Sequence, residues 1–131
     1  MKIEATGERE DNMLHHHINC NLLFEDGIKA NLVASRKKNM DNTRIMKICS
    51  NEETLELDLL NKIQKRIKKN NTEILECDKN SNPLKEELMD FYTSITQGTK
   101  PIVGVQEACA SVNVAIQIDE IINNNIISQN V

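Results

Sequence analysis

The chain has 131 residues, enough for one ordinary domain with a hydrophobic core and too short for two. Sixteen Lys and Arg against twenty Asp and Glu leave a net charge of −4, which speaks against a nucleic-acid binder, whose affinity rests on a basic face. With one Tyr, two Phe and no Trp, it offers no aromatic platform on which single-stranded bases would stack.

No stretch approaches the roughly 20 apolar residues of a membrane-crossing helix. Residues Met1 to Asp11 are charged and hold no apolar signal-peptide core. Four cysteines, Cys20, Cys49, Cys77 and Cys109, form no C-x-x-C pair, so neither a zinc nor a redox motif is present. Reduced thiols in a cytoplasmic chain are expected, with neither membrane nor nucleic acid among its partners.

In the first half, apolar and polar residues alternate. Ile18, Cys20, Leu22 and Phe24 share one face of a strand, and Asp26-Gly27 marks a hairpin because glycine tolerates positive φ. Ile28, Ala30, Leu32 and Ala34 continue that face on the returning strand. A polar run, Arg36 to Asn42, leads to a strand at Thr43 to Ser50. Asn51-Glu52-Glu53 then leads to another at Thr54 to Leu60, where Leu55, Leu57 and Leu59 alternate with Glu56 and Asp58. In Lys62 to Lys69, Ile63 and Ile67 fit a helix or a strand, and the flanks favour a strand running on to one at Thr72 to Cys77.

The second half changes period. Asn82-Pro83 starts a helix, with Asn at the N-cap and Pro at the first helical position, where no N–H is needed. Glu86 and Glu87 suit the positive end of its dipole, and Gly98 closes it. Leu84, Leu88, Phe91, Tyr92 and Ile95 form its apolar stripe, which is expected to bury Leu88 and Phe91 against the sheet. Thr99-Lys100-Pro101 connects to a second helix over about 105–123, with Ala108, Val112, Ala115, Ile118, Ile121 and Ile122 inward. Asn123-Asn124-Asn125 is expected to fray it, leaving 124–131 as a loose tail.

These elements predict a single α+β domain over 1–131: strand-rich over 1–78, with helices about 82–97 and 105–123. The sheet is expected to be largely antiparallel and open, with both helices on one face. Leu23, Val33, Met46, Ile48 and Leu60 then point to the other face, which predicts a homodimer joined through the sheet.

Catalytic motifs are scarce. Gly7, Gly27, Gly98 and Gly104 are too far apart for G-x-G-x-x-G or a Walker loop. His15-His16-His17 has no Cys or carboxylate array beside it to complete a tetrahedral metal set, so no metal is expected and the run reads as a solvated lead-in to the strand. Arg36, at the end of a strand after Ser35, could hold the carboxylate or phosphate of a substrate through its planar fork. Asp58 reads as structural or solvated, since acid–base chemistry needs a second titratable group converging on the same point. No catalytic residue emerges.

The run Asn82-Pro83-Leu84-Lys85-x-Glu87-Leu88-x-x-Phe91, followed by Ile95, Gly98, Pro101, Val103 and an alanine-containing helix from Glu107, resembles the end of the Gfo/Idh/MocA family, relatives of glucose–fructose oxidoreductase and inositol dehydrogenase. Leu23-Phe24-Glu25-Asp26-Gly27 with Ala34-Ser35-Arg36 is similar to that family's central hairpin, and Ile45 to Ile48 and Leu55 to Asp58 fit the next two strands. The loop Asn51-Glu52-Glu53 lacks the glycine expected there. The resemblance covers about residues 16–122.

The resemblance implies the family's C-terminal domain alone. Family members carry an N-terminal Rossmann domain for NAD or NADP with a Lys in Glu-Lys-Pro, and a catalytic Asp and His on the first helix of the C-terminal domain. None has a match here, so the chain itself is expected to bind no cofactor. NAD or NADP would enter through a separate Rossmann-domain polypeptide. Two roles then compete: the substrate-binding and oligomerisation part of a sugar-type oxidoreductase, or a stand-alone dimeric interaction module left by gene truncation. An unrelated small binding domain is a third.

Overall fold

Among the described residues, seven strands form one sheet in sequence order, β1 (Lys2–Arg9), β2 (His15–Leu23), β3 (Lys29–Ser35), β4 (Thr43–Cys49), β5 (Glu53–Asp58), β6 (Ile63–Lys68) and β7 (Asn71–Leu75), every pairing antiparallel. Two helices follow, α1 (Pro83–Gln97) and α2 (Val105–Gln129). In this computed structural model the described residues are 1–9, 15–36, 41–75, 77–78 and 80–129, with side chains through 125. The contacts of the chain, read above as one domain, divide into two compact units: Met1–Cys77 with Gln117–Val131, and Asp78–Ile116.

Local chemistry explains the turns. At the β2–β3 hairpin Gly27 takes φ 84°, and Ile28 N donates to Asp26 Oδ1 at 3.1 Å. The β4–β5 turn manages without glycine because Ser50 Oγ accepts from Glu52 N at 3.3 Å and Glu53 N at 3.2 Å. At β5–β6, Asp58 Oδ1 accepts from Leu60 N at 3.1 Å and Asn61 N at 3.0 Å, while its Oδ2 accepts from Asn61 Nδ2 at 2.8 Å. The Asn61 amide, with these backbone bonds, holds the Asp58 carboxyl below the ordinary carboxylate range.

The register corrects the expected faces. Cys20, Leu32, Met46 and Leu57 form one cross-strand row and Leu22, Ala30, Ile48 and Leu55 the next, so Met46 and Ile48 lie on the inner face and not the outer one. Val33, paired with Ile45, is on the opposite face, beside the ion-paired row Lys47, Glu56 and Lys65. A one-residue change in a connection reverses every side chain of a strand, and the polar run before β4 carries no parity of its own.

The inner face is covered at β1 and β2 by the C-terminal part of α2. Ile122 is 1% exposed and packs on Gly7, and the core of this unit is completed by Ala5, Cys20, Leu22 and Ala30. Burial pushes the Cys20 thiol up. The tail expected from residue 124 is helical to Gln129. Asparagine is a poor helix former, but here Asn123 Nδ2 donates to Asp119 Oδ2 at 3.0 Å, Arg9 Nη2 donates to Asn123 Oδ1, and Asn125 Nδ2 donates to Ala5 O at 3.3 Å. Of the residues expected inward on this helix, Ile118, Ile121 and Ile122 are sheltered, whereas Ala108, Val112 and Ala115 are exposed.

In the second unit α1 has the expected caps. Asn82 Oδ1 accepts from Lys85 N at 3.2 Å, and Gly98 ends the helix in the left-handed region, its N–H bonded to Ser94 O. The apolar stripe is not buried: Leu88 is 60% and Phe91 59% exposed. The connection to α2 is held by Asp90 Oδ2, which accepts from Ile102 N at 2.9 Å, and by Glu107 Oε2, which accepts from Gly104 N at 3.0 Å.

Candidate functional site

At the end of the sheet where β2 starts, β3 finishes and β4 starts, the first unit carries a cleft of about 570 Å³. That volume suits a small molecule. Register builds it. Arg36 N donates to His16 O at 2.7 Å, fixing the end of β3 beside the start of β2. One residue row further in, Ile18, Ala34 and Arg44 are cross-strand neighbours. Alanine between two long side chains leaves a hollow, and Leu60 adds a second apolar surface.

Among the described residues, four basic side chains line this hollow: His15, His16, Arg36 and Arg44. The histidines are not the solvated lead-in expected from the sequence. The His15 side chain is 6% exposed, with Nε2 3.0 Å from Asp119 Oδ1, while Arg9 Nε donates to its Nδ1 at 3.3 Å. His16 Nε2 lies 3.7 Å from Glu8 Oε2, and its buried Nδ1 has no hydrogen-bond partner among the described residues. Arg36 and Arg44 are exposed, and among the described residues neither has an ion-pair partner.

The sequence pointed to Arg36 and missed Arg44, which becomes its neighbour only through the β3–β4 register. Asp58 lies outside the cleft and organises the β5–β6 turn. Among the described residues no group of three or more His, Cys, Asp or Glu is placed to hold a metal, and no helix is long and apolar enough to cross a membrane. A second hollow of about 410 Å³, on the first unit, contains Lys2, whose ammonium is already paired with Glu4 at 2.7 Å. Among the described residues, the first cleft carries two arginines without an ion-pair partner. Its arrangement can hold an anion.

No family model matches the sequence, and no curated protein does. Solved structures do share the fold. UDP-N-acetylglucosamine 3-dehydrogenase GnnA from Acidithiobacillus ferrooxidans superposes with a TM-score of 0.76 at 20% identity, covering 93% of this chain and 40% of that one. A second crystal form gives a TM-score of 0.66 at the same identity. A presumed oxidoreductase from Thermotoga maritima gives 0.69 at 14% identity, covering 94% of this chain and 38% of its own. The chain therefore spans about 40% of the length of the GnnA structure it matches. Its α+β fold, an open antiparallel sheet with two helices, is that of part of these proteins.

Proposed function

We propose that this chain supplies substrate binding and subunit pairing to a cytoplasmic, NAD(P)-dependent oxidoreductase acting on a sugar-type substrate, and is not catalytic alone. The nucleotide-binding domain of that enzyme lies outside these 131 residues, for example on a separate Rossmann-domain polypeptide. The observation that carries the reading is the cleft of Arg36 and Arg44, set on a sheet whose fold recurs in a sugar-nucleotide dehydrogenase. The absence of a glycine-rich strand–turn–helix supports placing the cofactor elsewhere. Pairing is assigned to the sheet face of Val33 and Ile45, since α2 occupies part of the other.

The test is to titrate isotope-labelled chain with uncharged ligands, N-acetylglucosamine and myo-inositol, and follow the backbone amides. Shifts centred on Ala34, Arg36 and Arg44 are expected at millimolar ligand. No shift up to about 50 mM, beyond any useful affinity, or shifts confined to other regions, would refute the substrate-cleft assignment.

A further inference from the structure

We infer that the Arg36–Arg44 cleft binds the phosphoryl group of a phosphorylated small molecule. This deepens the substrate-cleft reading and rests on it. The charge arrangement decides the ligand class. In a protein of net charge −4, two guanidinium groups with no ion-pair partner among the described residues stand on one hollow, one at the end of β3 and one at the start of β4. Asp119 lies against His15 and Glu8 against His16, and among the described residues no carboxylate is ion-paired with either arginine.

A carboxylate offers two oxygens and one charge, which a single planar guanidinium fork satisfies. A phosphoryl group offers three oxygens and up to two charges, which calls for two forks. The cleft has two. His16 also lines the cleft. Ala34 leaves room for the anion between Ile18 and Arg44, and Ile18 with Leu60 offers apolar surface to the body of the ligand. Because both arginines are exposed, they serve here without the large desolvation cost of a buried charge.

The experiment is calorimetric titration of the full chain at low salt with glucose 1-phosphate, inorganic phosphate, glucuronate and glucose. Wild type is compared with Arg36→Gln, Arg44→Gln and Lys85→Gln, the last lying in the other compact unit. Glucose 1-phosphate should bind saturably, and glucuronate about tenfold or more weakly, equivalent to about 1.4 kcal/mol. Each arginine variant should lose at least that factor and Lys85→Gln should lose none. Inorganic phosphate should shift the Ala34 and Arg44 amides of the wild-type chain, a readout that needs no variant. Equal affinity for glucuronate, undiminished phosphate binding in both arginine variants, or equal loss in Lys85→Gln would overturn the inference. Glucose bound in the cleft as tightly as its phosphate would overturn it while leaving the substrate reading standing. No binding by any of the four probes would overturn both.

Discussion

Gly7 and Ile122 meet so closely that a methyl carbon on Gly7 would stand 2.9 Å from Ile122 Cγ2 and 3.0 Å from its Cδ1. This contact seats the C-terminal part of α2 on β1, and it depends on a residue with no side chain. Gly7→Ala should therefore cost about 1–3 kcal/mol by overpacking, and Ile122→Ala about 2–5 kcal/mol by opening a cavity. In the double variant the alanine methyl moves into the vacated space, so the losses should sum to less than the two singles. Urea unfolding of the four proteins checks this; strict additivity would mean that the contact is not formed.

The exposed stripe of α1 reverses the expectation from periodicity. Phe91→Ala would cost about 3–5 kcal/mol at a fully buried site, but with Phe91 59% exposed the loss should stay under about 1 kcal/mol. Asn82→Ala, which removes the acceptor of Lys85 N, should cost about 1 kcal/mol. Thermal unfolding of both variants tests the ordering, and a larger loss for Phe91→Ala would contradict it.

Register makes two aspartate substitutions behave differently. Val33 stands on the face proposed for pairing and Ile48 on the inner face, in the row of Leu22 and Ala30. Val33→Asp should convert a dimer to a monomer while keeping the folded spectrum, because an unpaired charge would be buried at the contact. Ile48→Asp should lower folding stability. Light scattering with circular dichroism separates the two. A wild-type mass equal to the 14.9 kDa chain at high micromolar concentration would remove the dimer.

Acid should loosen the β5–β6 turn. The folded-state Asp58 carboxyl is held below its ordinary value by Asn61 and the turn N–H groups. Its contribution is therefore present above the unfolded value of about 3.9 and is lost as pH falls through the lower folded value. The stability gap between wild type and Asp58→Ala should be full at neutral pH and shrink as the pH falls below the unfolded carboxyl's ordinary value. A gap that widens on acidification would contradict the assignment.

The strands from Ile18 to Leu60 were legible because apolar residues alternate strongly between turn signals. The first strand was not: Ile3, Ala5 and Gly7 form a weak apolar row, and Gly7 shows its purpose only when Ile122 lies against it. Helix ends followed cap chemistry at Asn82 and Gly98. At Asn123 to Asn125 local propensity failed because bonds to Asp119, Arg9 and Ala5 hold residues that would fray alone. In the cleft, Arg36 was visible as a strand-end cation. Arg44 and the histidines were not, since only the β2–β3–β4 register brings them together.

The proposed division of labour holds the substrate here and the nicotinamide cofactor elsewhere. Calorimetric titration of the chain with NADH and NADPH tests it most directly. The expected result is no binding tighter than about 10 μM, roughly −7 kcal/mol, with either nucleotide. A saturable isotherm at or below that dissociation constant would place a cofactor site within this chain and contradict the account.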